Sequence, residues 1–166
     1  MFELKTLSPE AVPRALAKAE RYRLLNEPGE AESICMDVLE VDPDNQDAII
    51  MLLLAQSDQF DHDMTFVADA LSSAARLRDQ YDRAYYTGII YERRAKATLR
   101  NGVRGGGPRA YEWLREAMSF FEKAEAVRPP NNDDAVLRWN ACARLIARDH
   151  HLVPMSEEPA EPLLLE

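Results

Sequence analysis

Few of the reactive residues in this sequence cluster in a way that performs chemistry. Asp58, Asp61, His62 and Asp63 crowd one short stretch. Carboxylates and an imidazole at that spacing can hold a cation, but the spacing and closing Glu of a calcium-binding loop are absent. Acids favouring the positive end of the next helix are the simpler reading. Asp149-His150-His151 is a second group of potential ligands, near the end of the last helix. Cys35 and Cys142 are far apart and form no CxxC pair. They read as small buried side chains in a reducing compartment. No GxSxG, HExxH or nucleotide-binding loop occurs. The expectation is therefore a protein without catalysis, cofactor or metal.

The strongest chemical signal is charge. The chain of 166 residues carries a formal charge of −9, yet one segment reverses that sign. Between positions 93 and 115 lie Arg93, Arg94, Lys96, Arg100, Arg104, Arg109 and Arg115, opposed only by Glu112. Within it, Arg104-Gly105-Gly106-Gly107-Pro108-Arg109 lacks the Lys-Ser/Thr ending of a phosphate-cradling loop. A protruding basic hairpin that docks an acidic partner, or another copy of the chain, fits this stretch. Nucleic acid fits less well, because the overall charge repels phosphate.

The elements that must position these residues are helices. Sustained alternation of apolar and polar residues is missing, whereas helix starts and stops are frequent. Ser8-Pro9-Glu10 is a start signal, and Asp42-Pro43-Asp44-Asn45, Asp79-Gln80 and Pro129-Pro130-Asn131-Asn132 are breaks. Seven helices are expected, at about 9–26, 29–41, 46–60, 64–78, 82–100, 109–127 and 133–148. The longest apolar run, Ala48 to Ala55, is far short of the ~20 residues that cross a bilayer. Met1-Phe2-Glu3-Leu4-Lys5 has no secretion-signal pattern, so a cytoplasmic place without membrane attachment is expected.

The breaks repeat. Around Asp42, Asp79 and Pro129 a helix end, a polar turn and a new helix entered by Ala follow in the same order. Ala19 and Tyr22, then Ala31, Cys35, Val38 and Pro43, recur as Gly88 and Tyr91, then Ala117, Phe121, Ala124 and Pro129. A weaker copy runs through Val67, Leu71, Ala74 and Asp79. This pattern resembles the tetratricopeptide repeat, a hairpin of two helices with a period of about 34 residues. The resemblance covers roughly residues 9–148. It implies an all-α, right-handed α-solenoid within 1–150: repeats at about 12–45, 46–81 and 82–132, the basic insertion near 93–115, and a cap helix at 133–148. An acidic, proline-rich flexible tail at 151–166 follows, in which Leu163-Leu164-Leu165 could dock. The implied role is a scaffold that binds a protein or peptide. A secretion-type chaperone, or a binder of nucleic acid or an acidic ligand through 93–115, are the alternatives.

In that family the first helix of each pair lines a concave groove. Carried over by register, the groove is expected to contain Leu16, Glu20 and Arg23; Ile50, Leu54 and Asp58; Tyr86, Ile90 and Arg93; and Leu137, Ala141 and Arg144 on the cap. An apolar floor with an arginine-rich edge follows. Leu16, Glu20 and Met51 stand where some members hold a partner's terminal carboxylate with Lys and Asn, and Glu20 would repel one.

Overall fold

The computed structural model describes residues 1–156, so Leu163-Leu164-Leu165 lies outside the described residues. Seven α-helices are present: α1 (Val12–Leu24), α2 (Pro28–Val41), α3 (Gln46–Ser57), α4 (Phe66–Ala75), α5 (Gln80–Arg100), α6 (Gly106–Ala126) and α7 (Asp134–Arg148). No strand occurs among the described residues. A 3-10 turn at Pro9–Ala11 leads into α1, so the proline start opens a tighter turn before the α-helix proper.

Local chemistry sets the boundaries. Asn45 caps α3 by accepting from the Ala48 amide at 2.9 Å, and Asp79 caps α5 by accepting from Asp82 at 2.9 Å. Asn132 Oδ1 accepts from the Asp134 amide at 3.0 Å at the start of α7. Each of the repeating breaks thus ties a polar side chain to the free amides of the following helix. The chain turns through positive φ at Gly105 (76°), which lets α6 begin at Gly106, three residues earlier than the sequence suggests.

Consecutive helices pack from α1 to α7, and the odd-numbered helices α1, α3 and α5 also touch in turn. Small residues permit the close approaches. Ala19 of α1 and Ala31 and Cys35 of α2 are fully buried in one cluster. At Gly88 a β-carbon would sit 2.6 Å from the Phe121 ring, so the long α5–α6 hairpin closes only with glycine there. Phe121, Leu114, Ala117 and Ala124 form the core of that hairpin together with Ala135 and Cys142 of α7. Leu152, assigned by sequence to the tail, is buried in the same core. No helix among the described residues is long and apolar enough to cross a membrane.

Candidate functional site

Four helices end or pass beside one polar cleft of about 440 Å³. α1 supplies Glu20 and Arg23, α3 ends there with Ser57 and Asp58, α5 supplies Glu92, Arg93, Lys96 and Arg100, and α7 supplies Arg138. The spacing of the α5 residues explains their common direction. Positions 92, 96 and 100 lie four apart and 93 lies three before 96, so the set shares one side of the helix.

Two carboxylates organise the cations. Asp58 accepts from Arg23 Nε at 2.7 Å and from Arg93 Nη1 at 2.6 Å, so α1, α3 and α5 meet on one side chain. Arg93 also donates to the Leu54 carbonyl at 3.2 Å and to Ser57 Oγ. A guanidinium at the carbonyl end of α3 is electrostatically favourable, and the helix ends at Ser57 rather than near residue 60. Burial lowers the proton affinity of Arg93, and the Asp58 charge opposes that shift.

Glu92 is the second centre, and it is only 1% exposed. Its Oε1 pairs with Lys96 one turn on and with Arg138 Nη1 of α7 at 3.4 Å. Its Oε2 has no hydrogen-bond partner among the described residues. Burial is the largest influence on Arg138 and works against its charge, but the Glu92 carboxylate, Tyr85 and Cys142 together outweigh it and strengthen its hold on the proton. Cys142 lies close enough to feel this charge: burial, then Glu92, pushes its thiol up to about 12. Burial raises Cys35 likewise to about 12. Both thiols are free and buried, unsuited to nucleophilic attack near neutral pH.

Glu20, Arg23, Asp58 and Arg93 of the expected groove line this cleft. The other expected residues do not. Ile90 is fully buried, and Ile50, Leu54 and Tyr86 are part-buried against the same core. Leu16 packs beside Val12, Val38 and Ala48. The expected apolar floor is therefore core, and the cleft itself is ionic. On α7, Leu137, Ala141 and Arg144 are exposed and line no part of the cleft, which takes Arg138 instead. Helix α7 is turned by one position from the expected register, and Arg138 is part-buried.

The basic segment does not form one patch. Lys96 and Arg100 join the cleft, with Arg100 paired to Asp61 at 2.8 Å. Arg94 points elsewhere and stacks on Trp113 of α6 at 3.7 Å. Arg104 and Arg109 remain exposed. The acidic stretch before α4 is likewise divided. Asp58 and Asp61 hold arginines, while Asp63 accepts from the Thr65 amide and hydroxyl, which lower its proton affinity. At the end of α7, ligating atoms of Asp149, His150 and His151 lie within 4.8 Å of one another, with both histidines exposed.

Glu92 and Arg138 were missed by sequence reasoning. The i,i+4 spacing of Glu92 and Lys96 was the available sign, but it marks an exposed helix face as readily as a buried pair. No family model, curated protein or solved structure matches the chain.

Proposed function

We propose that the chain is a non-catalytic scaffold that holds a segment of another polypeptide. Its architecture would be three tetratricopeptide-like helix pairs (α1–α2, α3–α4, α5–α6) with α7 as the cap. The observation that carries this reading is the shared cleft. Side chains from α1, α3, α5 and α7 converge on one open space, the geometry of a stack whose first helices form a common face. The contacts of α1 with α3 and of α3 with α5 support the same arrangement. A cleft of about 440 Å³ is of the size that takes a ligand segment. Binding is favoured over catalysis because both cysteines are buried with raised thiols, and the acids of the cleft serve to hold its cations rather than standing free as an acid–base pair. Two free, buried cysteines fit a reducing compartment such as the cytoplasm.

Selection from a random peptide display library, with wild type beside an Arg138→Glu variant, tests this function. Enrichment of sequences that the variant no longer retains is the expected result. No enrichment by wild type, or equal retention by both forms, would refute it.

A further inference from the structure

The charges of the cleft do not close among themselves. Asp58 is shared by Arg23 and Arg93, and Glu92 by Lys96 and Arg138, so two carboxylates serve four cations. Hydrogen-bond donors are in surplus as well. Among the described residues Arg93 donates from Nη1 alone, and the contact of Arg138 with Glu92 also leaves from Nη1. A guanidinium carries five N–H groups and an ammonium three, so most of these donors await acceptors. Against that surplus stands one buried acceptor without a donor, Glu92 Oε2.

A ligand suited to this cleft must bring anionic acceptors together with at least one donor. Phosphate at neutral pH and other small anions bring mainly acceptors. An acidic polypeptide brings both, as side-chain carboxylates and backbone N–H groups. The charge is also graded along the cleft. The α1 end carries Glu20, whereas the α5–α7 end carries Lys96, Arg100 and Arg138. On the scaffold reading, we infer that the cleft receives an acidic stretch of polypeptide, with side-chain carboxylates on Lys96, Arg100 and Arg138. The α1 end, where Glu20 repels acids, takes a part of the segment without negative charge. Unspecific attraction does not explain such binding, because the chain as a whole is at −9.

Fluorescence anisotropy with three labelled decapeptides tests the inference. Each is capped at both ends and alternates Gly with Glu, Gln or Lys, so any negative charge comes from side chains. The Glu peptide should bind about tenfold or more tightly than the Gln peptide, as expected when a charge-assisted contact is lost. The Lys peptide should not bind, and added salt should weaken the Glu complex. Arg138→Gln and Arg100→Gln should each weaken Glu-peptide binding several-fold. Arg100 is mostly exposed, so its variant keeps the fold even if the Arg138 variant loses it. Arg148→Gln, outside the cleft, should change nothing.

Equal binding of the Gln peptide, or preference for the Lys peptide, would overturn the inference and leave the scaffold reading intact. So would library-selected neutral peptides that depend on Arg138 while the Glu peptide stays free. Binding of inorganic phosphate without any peptide would overturn both.

Discussion

Asp58 and Glu92, the two paired carboxylates of the cleft, face similar surroundings and behave differently. Asp58 is about a quarter exposed, and each of its oxygens holds an arginine. Glu92 is almost completely buried, and only one of its oxygens is used. Asp58 is thus a satisfied junction that fastens α1 and α5 to the end of α3. Glu92 is an unfinished one, beside cations that are each more than a third exposed. Buried polar groups are costly when left unpaired, so a half-satisfied carboxylate marks a place where stability is not the only demand. On the scaffold reading, the fold is pinned at one end of the cleft and left open to a partner at the other.

Removing each centre should separate these roles. Asp58→Ala strands two part-buried arginines and should cost about 3 kcal/mol, read as a fall in the denaturation midpoint. A loss below about 1 kcal/mol would show that the junction is not fastening the helices. Glu92→Gln keeps the shape but removes the charge, and its two cations can turn toward water. It should cost no more than about 1 kcal/mol while disturbing peptide binding. A larger stability loss than at Asp58 would reverse the comparison.

The cysteines sharpen it through pH. Both thiols rise in the folded chain to about 12 from an ordinary value of 9.0, because burial disfavours the thiolate. The folded state therefore binds more protons than the unfolded state above pH 9. Stability is unaffected by these groups below that point and falls as pH rises toward 12, on the order of 1 kcal/mol per pH unit per thiol. Glu92 adds to the shift at Cys142, whereas at Cys35 Arg23 opposes the effect of burial. Glu92→Gln should thus lower the Cys142 pKa and leave Cys35 in place, as read by the pH dependence of alkylation at each thiol. Equal movement of both would mean that Glu92 does not act locally. The smallest effect belongs to Arg100→Ala. Its pair with Asp61 is exposed and should contribute less than about 0.5 kcal/mol to stability, measured by the same denaturation midpoint.

Much of the helical order was legible because it is written locally. Asn45 and Asp79 cap the helices that follow the breaks they sit in. Contacts between distant residues were not legible. Arg93, 36 residues from Ser57 in sequence, binds the last turn of α3. The ionic cleft was half visible. Glu20, Arg23, Asp58 and Arg93 were expected there from the register that the tetratricopeptide resemblance implies. Glu92 did not, because Tyr91-Glu92-Arg93-Arg94 reads as a solvated charge run until Arg138 is brought against it. The groove floor went wrong for a related reason. Ile90 and Tyr86 have the apolar character of a binding surface, but that character is equally required by the core beneath it.

The most direct measurement is an amide chemical-shift map of the protein titrated with the capped Glu–Gly decapeptide. Saturable changes should concentrate at Ser57, Asp58, residues 92–100 and Arg138, with the exposed far faces of α2 and α6 quiet. Changes confined to those far faces, or none at millimolar peptide, would contradict a cleft built to hold an acidic polypeptide.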